Sequence, residues 1–344
     1  MSNFFKILAV ILLFSGRVFP QSAADYYEKG IAKVEKNNLR AAARDFTKAV
    51  DLNPNFIEAY FSRGVVYYRL KSYEQAIADF TKTIELNPSD ADAYVSRGLV
   101  YAGLKNNELA LNDYSFAISL NTSEADAYFN RAGLHFDMKN YKSAISDYDA
   151  YRKIKPDDPD VYYFLANSYK ACKEYDRALE FYDITIRMND SNAQAYFSIA
   201  NISKIKKNFS KALEFYNKAI SIDATYAEFF NNRGTLLITL ERITEAIKDF
   251  TTAIALNPDY AIAYNNRGYA LTLGKNYEKA FTDFDKSFSL DPLNPALFRN
   301  MGYAYFSNGE YGKAVKNWNR AISLNYKLSA ELQPKINEAK KKEK

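Results

Sequence analysis

The chain has 344 residues, 48% of them hydrophobic and 25% charged, a composition that argues against wholesale disorder. Its formal charge of +5 comes from interspersed signs, which gives no nucleic-acid footprint, and no nucleic-acid partner is expected. A single His (His135) and a single Cys (Cys172) exclude a Cys/His zinc site, a Cys–His nucleophile pair and an internal disulfide, so no cofactor or metal is expected.

The first element is a short, weakly basic start, "MSNFFK", followed by an apolar run from Ile7 to Phe14 and then "SGRVFPQSAA". The run is shorter than the roughly 20 residues that span a bilayer. Residues 1–22 read as an export signal, with cleavage between Ser15 and Ala24. An uncleaved anchor or a buried helix is the alternative. The expected location is the bacterial periplasm or cell envelope, with no membrane span after cleavage.

From Ala23 onward the sequence repeats with a period of 34, and nine rows align without a gap. They are residues 23–56, 57–90, 91–124, 125–158, 159–192, 193–226, 227–260, 261–294 and 295–328. Row position 4 is always aromatic, from Tyr26 to Phe298, and position 8 is always Gly or Ala, from Gly30 to Gly302. Position 20 is always Ala, from Ala42 to Ala314, and position 24 is always aromatic, from Phe46 to Trp318. Positions 4, 7, 8 and 11 make one face of a first helix; positions 17, 20, 24 and 27 make one face of a second. Small residues at 8 and 20 let the two backbones approach where they cross, and the aromatics fill the space around them. Asn53-Pro54, Asn87-Pro88 and Asn257-Pro258 close rows, because Pro cannot continue a helix. After the ninth row, Leu332, Ile336 and Ala339 form a partial apolar stripe with Pro334 at the expected helix start. Residues 329–344 are therefore expected to be a capping helix with a basic tail.

These positions resemble the tetratricopeptide repeat over nearly all of the chain after residue 22, with Tyr or Phe at position 4 where that family usually carries Trp. The resemblance implies an all-α, right-handed superhelix (an α-solenoid) whose first helices line a concave groove. It also implies a non-enzymatic scaffold with a protein or peptide partner. One helix pair cannot bury its apolar face alone, so stability comes from neighbouring rows.

Position 7 belongs to the packed face, yet five rows place Arg there: Arg63, Arg97, Arg131, Arg233 and Arg267, four of them followed by Gly. In those same rows position 23 is Asp: Asp79, Asp113, Asp147, Asp249 and Asp283. Lys29 with Asp45 gives opposite charges in the first row, whereas Leu165, Ile199 and Met301 accompany Phe181, Phe215 and Asn317. This covariation predicts an ion pair between the two helices of one row, since a buried charge needs a partner. An Arg-Gly nucleic-acid motif would instead be clustered and exposed.

With the family geometry, positions 2, 5, 9 and 12 face the groove. The candidate partner-binding residues are then aromatics at position 5 (Tyr27, Phe61, Phe129, Tyr163, Phe197) and acids at position 2 (Glu58, Asp92, Asp126, Asp160). The amides Asn232, Asn265 and Asn266 join them late in the chain. Such a stripe suits an extended or helical segment with apolar and basic residues. The same aromatics fit packing between neighbouring helices equally well, and the acids fit helix N-termini. The Lys/Asn clamp by which some family members hold a C-terminal carboxylate lacks its Lys at position 5 in every row. His135, at position 11, reads as a packing residue. Glycan binding through the aromatics, or a regulatory subunit of a separate enzyme, are the alternative functions.

Overall fold

The computed structural model describes residues 21–343, so all but the last two residues of the expected export signal lie outside the described residues. The first four rows contain α1 (Ala23–Glu35) and α2 (Leu39–Leu52), α3 (Ile57–Arg69) and α4 (Tyr73–Leu86), α5 (Ala91–Gly103) and α6 (Asn107–Leu120), α7 (Ala125–Asp137) and α8 (Tyr141–Ile154). Then come α9 (Pro159–Ala171) and α10 (Tyr175–Met188), α11 (Ala193–Ile205) and α12 (Phe209–Ile222), α13 (Ala227–Thr239) and α14 (Ile243–Leu256). The series ends with α15 (Ala261–Leu273) and α16 (Tyr277–Leu290), α17 (Pro295–Ser307) and α18 (Tyr311–Leu324), and α19 (Ser329–Glu343). The described residues contain no strand. The chain divides into two compact units at Cys172 and Lys173. The first holds α1–α9 and the second α10–α19.

Within a pair, the position 24 ring lies against the position 8 backbone. A Cβ placed on Gly302 would meet the indole of Trp318 at 2.3 Å. Position 8 therefore stays small despite the cost of about 1 kcal/mol for Gly in a helix. Trp318 is fully buried, and its indole N–H donates to the Arg299 carbonyl at 3.2 Å. Inside each unit neighbouring first helices also touch, as α3 does α5, α5 does α7, and α15 does α17; contact between neighbouring second helices is weaker. Each unit thus curves with its first helices on the inner side.

Two turns recur, each set by one residue. At position 15, between the helices, the backbone is left-handed in every row, with φ from 54° at Asn37 to 82° at Gly309. The next N–H then reaches back to the position 11 carbonyl, as Asn276 does to Leu271 at 2.9 Å, closing the first helix. At position 31, in every row but the fourth, where Lys155 stands, an Asn or Asp side chain accepts the backbone N–H two residues on, as Asn257 does from Asp259 at 3.1 Å. This local bond turns the chain out of the second helix, whether position 32 is Pro, as at Pro258, or not, as at Thr122.

At the C-terminus α19 covers α18, burying Leu332, Ile336 and Ala339 against the cluster around Trp318. Pro334 does not start this helix; it sits inside it, five residues after Ser329, because a 3₁₀ turn at Tyr326–Leu328 leads directly into α19. Pro is tolerated there because it removes only one intrahelical bond near the N-terminal end.

Six rows put Lys and one puts Glu at the left-handed position, where a side chain costs about 1–2 kcal/mol relative to Gly. Lys275→Gly is therefore expected to stabilise the protein by about 0.5–1 kcal/mol, read as a higher midpoint in urea. An unchanged or lower midpoint would show that the turn carries no such strain.

Candidate functional site

The five arginines at position 7 come from the middle turns of α3, α5, α7, α13 and α15. Each grips the Asp of its own row with two parallel bonds. Arg267 Nε and Nη2 donate to Asp283 Oδ2 and Oδ1 at 2.8 and 2.7 Å, and Arg63 does the same to Asp79 at 2.8 Å for both. Arg97–Asp113, Arg131–Asp147 and Arg233–Asp249 repeat the geometry at 2.7–2.9 Å. The Asp side chains are buried, and the Arg side chains are 14–21% exposed. Hydrogen bonding to the carboxylate raises the pKa of Arg97, Arg131 and Arg267 against the opposing effect of burial.

The remaining nitrogen makes a bond that the row pattern did not reveal. Arg63 Nη1 donates to Thr47 Oγ1, Arg97 to Thr81, Arg131 to Ser115, Arg233 to Asn217 and Arg267 to Thr251, at 2.8–3.1 Å. All five acceptors occupy position 25 of the preceding row, so each arginine joins three helices in two rows. A signal was present in the sequence. Position 25 is Thr, Ser or Asn ahead of every arginine row, and Asp149, Asp183 or Asp285 ahead of the rows with Leu165, Ile199 or Met301.

The first row departs from expectation. Asp45 pairs with Lys33, one turn further along α1, and Lys29 is exposed with its ammonium 5.3 Å from the Tyr26 ring. Lys29 is exposed, while Lys33 reaches the buried carboxylate.

On the inner face, the position 2 acids Glu58, Asp92, Asp126, Asp160 and Glu228 are exposed. Along α5 and α7 the acids crowd. Burial, then the charges of Asp90 and Asp126, hold the Asp92 carboxyl above its ordinary range. Glu124 is raised by burial and by Asp92 and Asp126. Lys155 pairs with Asp126 at 3.1 Å, and its charge also opposes the shift of Glu124.

The position 5 aromatics are not an open stripe. Tyr27, Phe61, Phe129 and Phe197 each lie against the position 24 ring of their own row: Phe46, Phe80 and Tyr148 at 5.6 Å, and Tyr216 at 5.8 Å. Phe197 is buried, with Phe229 stacked on it at 4.6 Å, and the others are half-buried. Tyr163 is half-buried, 5.8 Å from the Phe164 ring.

The amides also turn inward. Asn265 is buried and accepts from Asn300 at 3.1 Å; buried Asn231 accepts from Asn266 at 2.9 Å. Asn232 donates to Asn201 at 3.2 Å. The expectation that Asn265 looks into the groove is thus corrected. An amide both donates and accepts, so Asn at positions 5 and 6 of successive rows tie neighbouring first helices together.

On the inner face of the first unit a depression of about 370 Å³ lies between α5 and α7. Leu99, Ala102, Phe129, Asn130 and Leu134 line it, and Gly133 opens it. A Cβ on Gly133 would meet only the Tyr148 hydroxyl, at 3.7 Å. Gly133 occupies position 9, where every other row carries a larger residue. Among the candidate residues, only Phe129 lines this depression, whose polar rim is Lys105, Asn107 and Asp137; Asp92 and Asp126 stand apart from it, in the first turns of α5 and α7.

Models of the tetratricopeptide repeat match residues 57–90, 95–159, 135–198, 193–226, 261–292 and 300–328, and a TPR repeat model matches 30–71 and 234–274. The chain belongs to the tetratricopeptide repeat family, and its helix pairs form that family's all-α solenoid architecture. No curated protein matches it in sequence. Among solved structures it is similar to one from the APC/C hetero-tetramer Cut9-Hcn1, at TM-score 0.58 and 15% identity, covering 97% of this chain and 80% of that one. A tetratricopeptide repeat protein from Parabacteroides merdae gives TM-score 0.54 and 19% identity, covering 73% and 99%. Pseudomonas aeruginosa pilF gives 0.51 and 20%, covering 59% and 92%. At these identities the likeness concerns the fold alone. Among the described residues no helix is long and apolar enough to cross a membrane.

Asp283→Ala leaves Arg267 half-buried without its carboxylate and is expected to cost about 3 kcal/mol. Arg267→Ile with Asp283→Phe, the apolar choice at these positions in row six, is expected to cost less than about 1.5 kcal/mol. Equal losses in urea unfolding would contradict a paired role. His135, on α7, has a buried Nδ1 without a hydrogen-bond partner, and burial lowers its pKa from the ordinary 6.5. Asp147 opposes that shift and Arg131 adds to it. The unfolded chain therefore takes this proton at higher pH than the folded one, so stability falls as pH drops below about 6.5. His135→Tyr, matching Tyr67 and Tyr101 at this position, is expected to flatten the stability profile between about pH 7 and about pH 5. An unchanged slope in that window would rule His135 out as its source.

Proposed function

We propose that this chain is a non-enzymatic scaffold, exported to the bacterial periplasm or cell envelope, whose first unit captures a segment of a partner protein on its inner face. The depression opened by Gly133 carries this reading. It takes one apolar side chain, and the acids at positions 2 supply the complementary charge for Lys or Arg. Asp126 and Gly133 are seven residues apart on α7, which is about 10 Å along the helix axis. An extended segment covers that distance in about three residues. The expected motif is a large apolar residue with a basic residue about three positions away. Packing of the position 5 rings against position 24 takes ring faces away from sugar stacking and favours a peptide over a glycan.

The test is to isolate the partner by affinity capture with mass spectrometry and then measure its affinity for variants. Gly133→Leu fills the depression and replaces a helix-weakening residue, so the fold is expected to persist by circular dichroism. Binding is expected to weaken by more than about tenfold, a loss of about 1.4 kcal/mol. Asp92→Asn with Asp126→Asn is expected to weaken it further and to remove its salt dependence. Full affinity in Gly133→Leu would place the partner elsewhere.

A further inference from the structure

Row nine lacks the arginine tie. Position 7 is Met301 and position 23 is Asn317, and on the outer face between α16 and α18 this leaves a notch of about 780 Å³. The grooves at the same register beside Arg233 and Arg267 hold about 350 and 370 Å³, with the guanidinium and its Asp forming part of their walls. The floor of the notch is apolar: Phe288 is 47% and Leu293 63% exposed, with Phe298 and Tyr305 beneath. Its rim is cationic. Lys316 and Arg320 line it, and Arg320 sits 5.8 Å from the Phe298 ring. Among the described residues, neither cation has a carboxylate within 4.0 Å. Lys313 is taken by Glu310 at 2.5 Å, and Asp285 and Glu310 act on the Tyr305 side of the notch.

We propose that this notch is a second docking surface, for a protein segment presenting an aromatic or large aliphatic side chain flanked by Asp or Glu. The chemistry is the reverse of that proposed for the inner face of the first unit, where exposed acids stand in the first turns of α5 and α7. Exposed Phe288 and Leu293 gain by covering, and a carboxylate from the partner supplies what Lys316 and Arg320 lack. The volume admits a large side chain, whereas the grooves beside the arginine ties are half as large and already polar. The proposal rests on row nine alone and stands whether or not the inner-face reading does.

The probe is a short fluorescein-labelled peptide in which Phe and Leu alternate with Glu and Asp. Two comparison peptides carry Lys in place of the acids, or Ser in place of Phe and Leu. Fluorescence anisotropy with the full chain is expected to show binding of the acidic–apolar peptide at least about tenfold tighter than either comparison peptide. Lys316→Glu with Arg320→Glu changes surface residues only and is expected to lose that binding by about tenfold or more. Met301→Arg with Asn317→Asp restores the tie and is expected to close the notch with the same loss, while Gly133→Leu leaves binding unchanged. Failure to bind the peptide, equal binding of the Ser peptide, or unaltered binding by the Glu variant would each overturn the proposal. So would association with phosphatidylserine vesicles or with a second copy that depends on Lys316 and Arg320 in the absence of peptide binding.

Discussion

A helix pair of this kind has an apolar face on either side and cannot fold alone, so the interactions that join one row to the next decide the rest. In five of the nine rows the joint includes a single arginine at the middle of the first helix. Two of its nitrogens hold the Asp of its own second helix, and a third reaches the second helix before it. Taking both charges from water offsets much of what the pair contributes, so its net stabilisation is modest. What the planar fork fixes is geometry. One guanidinium with three partners sets the rotation of a first helix against two second helices at once.

The rows without this tie show what it constrains. In row six Ile199 is fully buried and Phe215 joins the apolar cluster of that row. Row nine keeps Met301 with Asn317, and its cohesion comes from Trp318 and from α19 laid over α18. The same relaxation opens the outer notch beside Lys316 and Arg320. The amides of the second unit do comparable work on the inner face: Asn231 with Asn266, and Asn265 with Asn300, take over from the aromatic pairs that join earlier rows.

The helix pairs were legible because positions 4, 8, 20 and 24 record packing alone, and packing repeats with the row. The Arg–Asp pairing was legible for a related reason: nine rows in one chain vary together, so Leu165 and Ile199 identify Asp as the partner by its absence. Three features were hidden. Lys29 occupies the right position, but its side chain is exposed and Lys33, one turn on, reaches Asp45 instead. Lys275 and its equivalents adopt a left-handed turn that only Gly309 and Asn37 announce, because Lys carries no sequence mark of positive φ. Asn265 reads as exposed since it is polar; its burial depends on Asn300, 35 residues away, matching it. The depression at Gly133 was visible as the only small residue at position 9, yet it acquires meaning only when Leu99 and Phe129 are seen on either side of it.

With five arginines committed to internal ties and most position 5 rings committed to packing, the inner face of the first unit keeps two exposed resources, the acids of α5 and α7 and the space at Gly133. Hydrogen–deuterium exchange of the whole chain, with and without its captured partner, tests directly whether they are used. The account predicts slowed exchange across Ala91–Gly103 and Ala125–Asp137, with Asn107–Leu120 and Tyr141–Ile154 unchanged. Protection confined to the second helices, or none in Ala91–Gly103 and Ala125–Asp137, would contradict it.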